Sequence, residues 1–416
     1  MNSPWPNVKI GVPQGSVLGP ILFNFFVRDC PVEQPSYADD FSFSRSAVEI
    51  GELERNLQSD LDQVVAWAKS KMLNIAPEKS SITLFTPDKA RQSKTHPQVL
   101  IDGKVIPLDK NPRILGVRLD PHFHFNAHVM DVVKSCRNKL RILNSLAGTG
   151  WGCQKETLLS VYRTYVEPCV NYAAAVWTPN ISDSSFCSLQ RIQNRALRIA
   201  TGCHRNTDTS HLHHETKVTL IKDHLELLSA QFLLSASRLS HPSHNVVQQP
   251  AGARRMKQTL HTRHSDRVNP FLSNGVLDPA DYRNSLTSLH TDAVAHTISE
   301  LGANPILGTA PPEIAASETT LSRRQRCTLS QLRSGQCHLL NDYLVLTGRS
   351  DSAVCPECLI RRHTVPHLFV CDAVPTNLTI LDLWKNPISV VEFLKSLSSF
   401  SPLVSTEPPP PPEPPP

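Results

Sequence analysis

Pro35-Ser36-Tyr37-Ala38-Asp39-Asp40-Phe41-Ser42-Phe43-Ser44 decides how this chain is read. Two neighbouring acids follow a small residue inside an apolar and aromatic run. Tyr37, Asp39, Phe41 and Phe43 share one parity and Ala38, Asp40 and Ser42 the other, so the pattern predicts two short strands meeting at the acids. A turn there pushes both carboxylates out of a sheet and into solvent. Hard cations such as Mg²⁺ take oxygen ligands of this kind, and substrate phosphates complete the shell. An isolated Asp-Asp pair also fits a solvated turn, so the flanking sequence has to decide between chemistry and surface.

The flank is Gly11-Val12-Pro13-Gln14-Gly15-Ser16-Val17-Leu18-Gly19-Pro20, followed by the apolar, helix-like run Ile21 to Val27. Glycine and proline fix a bend, and Ser16 can cap a helix that starts just after it. Bare glycine backbone lets a nucleotide or strand approach closely. A Gly/Pro-rich loop opening a helix, then an acidic hairpin, resembles the palm of a reverse transcriptase of the non-long-terminal-repeat (non-LTR) retrotransposon type, jockey-like in particular. Gly11 to Pro20 with Leu22-Phe23 resembles motif B of that family, and Tyr37-Ala38-Asp39-Asp40 its motif C; the two in this order are far more specific than either alone.

The resemblance implies an RNA-directed DNA polymerase. Asp39 and Asp40 would hold Mg²⁺ (or Mn²⁺), with Asp39 the more direct ligand. Gln14, Gly15 and Ser16, with Tyr37 and Ala38, would line the nucleotide and template pocket. The implied partners are an RNA template, a DNA primer or target, and dNTPs. Family members also carry motif A, with another metal-binding Asp, upstream of motif B, and Met1 to Ile10 cannot supply it. Asp29 and Glu33 lie where the family has no ligand. The expectation is a C-terminal portion of such an enzyme that polymerises poorly or not at all alone, since losing one member of a catalytic unit costs on the order of 10⁴-fold or more. The alternative is a non-catalytic, nucleic-acid-binding remnant of the retroelement.

The 416 residues carry a net charge of +5 and 40% hydrophobic residues. That balance permits nucleic-acid binding without demanding it, so local clusters must decide. No apolar run approaches the ~20 residues of a membrane span, and no signal-peptide pattern opens the chain, which predicts a nuclear or cytoplasmic protein with no membrane partner. The 11 cysteines are scattered except for one cluster, and they read as reduced thiols.

The predicted fold class is α+β. Residues 1–120 form a partial polymerase palm, an antiparallel sheet with packed helices, carrying motifs B to E without fingers or motif A. Residues 121–240 form a mainly helical thumb and post-thumb region, and 241–320 a linker-rich segment. Residues 321–400 form a C-terminal helical region with a small zinc-binding module, and 401–416 a proline-rich disordered tail.

Within the palm, Ser46 to Glu49 fits a capping box, and Leu53, Leu57, Leu61, Val64, Val65, Ala68 and Met72 recur at helical spacing. Glu54, Arg55, Gln58, Asp62 and Lys69 lie opposite, as a solvated face. Ile82 to Phe85 reads as a strand. Asp102-Gly103 marks a hairpin, and Ile114 to Asp120 a further strand. By resemblance, Trp67 and Lys79 belong to motif D, with Lys79 near the incoming nucleotide's phosphates. Gly116 belongs to motif E, where it allows close approach of the primer backbone.

Helical spacing then dominates. Val129, Val133, Cys136, Leu140 and Leu143 make an apolar stripe, and Lys134, Arg137, Lys139 and Arg141 a basic surface. Arg191, Arg195 and Arg198 fall at i, i+4 and i+7, on one helix face. Such an array can neutralise phosphates along a duplex, or be an ordinary charged face. His204, His211, His213 and His214 fit no ligand spacing and read as caps and surface residues. Cys355-Pro356-Glu357-Cys358 with His367 and Cys371 makes a Cys₃His set for structural Zn²⁺. His363 is a rival ligand; His367 is preferred because Cys-x-x-Cys…His-x-x-x-Cys resembles the family's C-terminal motif.

Overall fold

The computed structural model describes residues 15–32, 36–86, 97–247 and 260–403. Gly11 to Gln14 of the glycine-rich stretch and the proline-rich end from 404 lie outside them. The chain divides after Phe123 into two units.

The first unit holds the helix Gly19–Phe26, the hairpin Ser36–Tyr37/Asp40–Phe41, the long helix Ile50–Ser70 and two further hairpins, Leu100–Ile101/Lys104–Val105 and Arg113–Ile114/Val117–Arg118. The expected antiparallel pairing is present, as three separate two-stranded pieces among the described residues. Leu115 and Gly116 explain one of the breaks. Both take positive φ, 47° and 83°, and fold the expected strand Ile114 to Asp120 back on itself. Ile82 to Phe85 likewise shrinks to one parallel bridge, Ile82 to Leu108. The long helix starts at Ile50 with Glu49 as N-cap, so Ser46 caps nothing. Met72, expected on the apolar stripe, lies past the helix end at φ 59° and is exposed.

Ile82, Val99, Ile101 and Ile106 form the core of this unit against Leu57, Leu61 and Val65 of the long helix. The helix face expected to be solvated is partly a bonded edge. The Gln58 amide accepts from Leu100 N (2.8 Å) and donates to Leu100 O (3.0 Å), much as a neighbouring strand would. Glu54 accepts from Gln98 N (2.8 Å), and Lys69 pairs with Asp102 in the Asp-Gly turn (2.5 Å).

The second unit is helical. Asn126–Ser145 packs Val129, Val132, Val133, Cys136, Leu140 and Leu143 inward. Asp183–Thr201 is capped by Ser182, whose Oγ accepts from Ser185 N (3.3 Å), and ends at Gly202 with φ 72°. Its Leu189, Ile192, Ala196, Leu197 and Ala200 are buried. Two helices, Leu260–Val268 and Tyr282–Glu300, occupy the segment read as linker-rich. They join Ile221–Ala236 around Leu227, Leu233, Leu234, Val268 and Leu289. A last core gathers Leu329, Leu332, Leu340, Leu368, Trp384, Leu394, Phe400 and Leu403. The short helical segment Ser398–Leu403 crosses the expected tail boundary at 401.

An internal ion network ties this last core to the earlier helices. Arg333 is fully buried and donates to the Leu383 carbonyl (Nε, 2.9 Å), to Glu215 (3.1 Å) and to Glu318. Lys155 pairs with the same two acids, at 3.2 and 3.6 Å. Arg326 binds Glu156 and Gln154. Arg323 donates to the Ile199 (2.7 Å) and Ala200 (2.6 Å) carbonyls, satisfying the last turn of Asp183–Thr201. His211 and His213, expected at the surface, are buried; His213 Nδ1 bonds the Val218 carbonyl at 2.6 Å.

Acid should therefore act in two stages. Burial pushes His204 and His264 down to about 4. The unfolded chain takes up these protons near pH 6.5, whereas the folded chain takes them up only near 4, so stability falls with pH across that window. Burial by itself would raise the Glu215 carboxyl, but Lys155, Arg333 and His211 outweigh it and hold it at about 2. Its contribution is complete above 4.5, its ordinary value, and disappears as pH falls toward 2. Urea midpoints measured against pH should decline through both windows. Glu215→Gln should flatten the lower one, and an unchanged lower limb would contradict this assignment.

Candidate functional site

The two acids sit on one of the three tight reversals of the first unit. Tyr37 pairs with Asp40, leaving Ala38 and Asp39 as a two-residue turn. Ala38 takes φ 51°, a left-handed conformation that costs a non-glycine residue about 1–2 kcal/mol. Asp39 and Asp40 are both exposed, as is Tyr37. The hairpin is braced from behind. The Phe41 ring meets Trp67 edge-on at 6.3 Å, Trp67 Nε1 donates to Asp29 (3.1 Å), and Asp29 pairs with Lys71 (2.6 Å). Hydrogen bonds from Lys71 and Trp67 hold the Asp29 carboxyl below its ordinary range. Asp29 is thus a bracket between the long helix and the loop before the hairpin. Its sequence gave no sign of this, because the partners lie about forty positions downstream, at 67 and 71.

Gly15 takes φ 85°, as its place in a bend requires. Ser16 does not cap the following helix with its side chain. The N-cap is Leu18, and the Ser16 carbonyl instead accepts from Gly19 N at 3.2 Å. Lys79 is exposed at the end of the turn Pro77–Lys79, and Gly116 is exposed at the tip of its own hairpin. The structure brings Tyr37, Ala38, Asp39 and Asp40 onto one turn, while Lys79 and Gly116 stand on two others.

In the second unit Lys134 and Arg137 are exposed on Asn126–Ser145, and Arg191 and Arg195 on Asp183–Thr201. Arg198 departs from the expected three-arginine array. It is half-buried, donates to the Thr207 carbonyl (2.8 Å), and burial holds it below the usual arginine value.

Cys355, Cys358, His367 and Cys371 place four donor atoms within 4.8 Å of one another. A tetrahedral Zn²⁺ site with bonds of about 2.0–2.3 Å has ligand–ligand edges of roughly 3.3–3.8 Å, so small side-chain adjustments would close it. Local geometry explains the convergence. Cys355 N donates to Arg361 O (2.8 Å), Leu359 turns at φ 58°, and Thr364 caps Val365–Leu368, which carries His367. Backbone N–H groups of Arg361 and Ile360, helped by His367 and Cys355, hold the Cys358 thiol down at about 6. His363 is not in the set. It is buried, its Nδ1 accepts from Asn341 N (3.2 Å), and its Nε2 faces Ser399 Oγ (3.5 Å). Among the described residues no helix is long and apolar enough to cross a membrane.

The first unit carries the similarity to a known family. Residues 7–119 match the family model of reverse transcriptase (RNA-dependent DNA polymerase). The nearer kinship is with mobile elements of Drosophila melanogaster. The chain is 26% identical over 237 residues to the probable RNA-directed DNA polymerase from transposon BS, covering 54% of this chain and 26% of that relative. It is 28% identical over 236 residues to its X-element counterpart, covering 54% and 25%. It is 26% identical over 243 residues to the RNA-directed DNA polymerase from mobile element jockey, again covering 54% and 25%. The chain is therefore similar to jockey-like, non-LTR retrotransposon reverse transcriptases, and it spans about a quarter of the length of these relatives. No solved structure matches it.

Proposed function

We propose that this chain serves RNA-directed DNA synthesis by a non-LTR retrotransposon, with Asp39 and Asp40 as the metal-binding carboxylates. The observation that carries this reading is their position: adjacent, exposed and fixed at a two-residue turn braced by Phe41 and Trp67. Two carboxylates with free oxygens fit the preference of Mg²⁺ or Mn²⁺ for hard ligands. When bound, these ions supply Lewis-acid activation of a primer 3′-hydroxyl and charge stabilisation in phosphoryl transfer. Tyr37, Ala38, Gly15 and Ser16 line the nucleotide side, Lys79 offers an ammonium to phosphates, and Gly116 leaves room for a primer backbone. Lys134, Arg137, Arg191 and Arg195 neutralise phosphates of the template–primer, whereas Arg198 is engaged internally. Cys355, Cys358, His367 and Cys371 hold a structural Zn²⁺. The chain works in the nucleus or cytoplasm.

The test is dNTP incorporation by the purified chain on an oligo(dT)-primed poly(rA) template with Mg²⁺ or Mn²⁺. Whatever incorporation the chain supports alone should fall to background in Asp39→Ala and Asp40→Ala, with template–primer affinity nearly unchanged. Incorporation surviving both substitutions would refute the assignment. Exposed basic residues on two helices favour the second reading, a non-catalytic binder. Tight, salt-dependent template–primer binding with no incorporation above background would select it.

A further inference from the structure

None of the eight residues of the helix Gly19–Phe26 is buried, and no side chain caps its N-terminus. A helix this short is marginal in water by itself, and helices in folded proteins draw most of their stability from a packed apolar face. This one has such a face, and it is open. Leu18, Ile21, Leu22, Phe25 and Phe26 fall at i, i+3, i+4, i+7 and i+8, which makes a single stripe. They are 59%, 65%, 49%, 73% and 39% exposed, and Val17 just before them is exposed as well. Phe23 and Val27, off the stripe, are half-buried, and the Lys71 ammonium lies 5.6 Å from the Phe26 ring centre. No step of the polymerase reading uses the stripe.

We propose that a second copy of this chain covers the stripe, the two helices packing antiparallel across a two-fold axis. Area supports that occupant. A large apolar side chain has on the order of 200 Å² when fully open, so these fractions leave roughly 600 Å² of apolar surface on one helix. That is the upper end of the ~300–600 Å² patch a monomer ordinarily shows. Two such stripes face to face bury about 1,200 Å², the lower edge of stable interfaces and more than most crystal contacts. Charge supports it too. The helix Gly19–Phe26 carries no ionisable side chain, so pairing it with itself sets no like charges together. Antiparallel packing also opposes the two helix dipoles. A lipid surface or a nucleic acid would call for Lys or Arg on the far side of the helix, where Pro20 and Asn24 stand instead. With the axis between Ile21 and Leu22, Leu18 of one copy meets Phe25 of the second, and Ile21 meets Leu22. The aliphatic end of each stripe then faces the aromatic end of the other, and the stripe is complementary to itself along its length.

The test is sedimentation velocity of the purified, zinc-loaded full-length chain in reducing buffer over a wide concentration range, joined to hydroxyl-radical footprinting. A monomer–dimer equilibrium in the micromolar range should appear. Labelling of residues 18–26 should fall several-fold as dimer forms, while exposed Leu346 keeps its labelling. Phe25→Asp should weaken the dimer by roughly tenfold or more, because each copy then carries a charge into the seam. Leu346→Asp should leave the dimer unchanged. A chain that stays monomeric at every concentration, a dimer whose residues 18–26 remain fully labelled, or a stripe already protected in the monomer by another part of the chain would overturn the proposal. Those three readings come from the unsubstituted protein, so a variant that fails to fold leaves the test intact.

Discussion

Arg333→Met should destabilise the second unit by about 3–5 kcal/mol, read as a fall in the urea midpoint at neutral pH. The guanidinium is fully buried, and its hydrogen bonds run to Glu215, Glu318 and the Leu383 carbonyl. Removing it leaves two buried carboxylates with Lys155 and Arg326 as their remaining salt-bridge partners, and leaves a buried carbonyl without this donor. The large effect comes from that uncompensated charge, since an intact buried pair adds little net stability over an apolar replacement. Arg333→Met combined with Glu318→Gln should therefore cost less than the two single changes added together. A loss below about 1 kcal/mol in the single variant would show that the network is not desolvated as the structure has it.

Zinc removal should have a still larger effect on the C-terminal core. Binding free energies of structural Zn²⁺ sites are on the order of 10–16 kcal/mol in small domains and are delivered as folding energy. The cluster is wired to its surroundings. Asn341 donates to His363 and to the Val354 carbonyl, and Glu357 accepts from Ser398 next to the buried Phe400. Chelation, or Cys355→Ser, should expose amide hydrogens across 341–403 to rapid exchange and lower Tm, while Asn126–Ser145 stays protected. The starting protein should contain one zinc per chain. A metal-free protein with the same Tm and exchange pattern would remove zinc from the account.

What was legible in the sequence had short range. The acids at 39 and 40 and the Asp-Gly hairpin are local patterns, and the Cys-x-x-Cys…His-x-x-x-Cys set is local too, although resemblance was needed to prefer His367 over His363. The ion network was not legible, because Arg333 meets Glu215 across 118 positions. Likewise Arg323 and Arg326, at the start of the helix Arg323–Arg333, turn inward to distant carbonyls and carboxylates. Tyr282–Glu300 was hidden for another reason. Its buried face, Ser285, Leu289, Ala293 and Thr297, is regular at i, i+4 but mostly small and polar, so hydrophobicity does not reveal it. Arg198 has the same spacing as Arg191 and Arg195, and only the Thr207 carbonyl separates it from them.

The central claim, that the turn at Asp39 and Asp40 holds a catalytic divalent cation, is tested most directly by Mn²⁺ titration of the zinc-loaded chain. Bound Mn²⁺ would be followed by electron paramagnetic resonance, with an RNA template, a DNA primer and a dNTP present. The account predicts a class of bound Mn²⁺ that disappears in Asp39→Asn/Asp40→Asn. Identical Mn²⁺ binding by the unsubstituted and doubly substituted chains would contradict it.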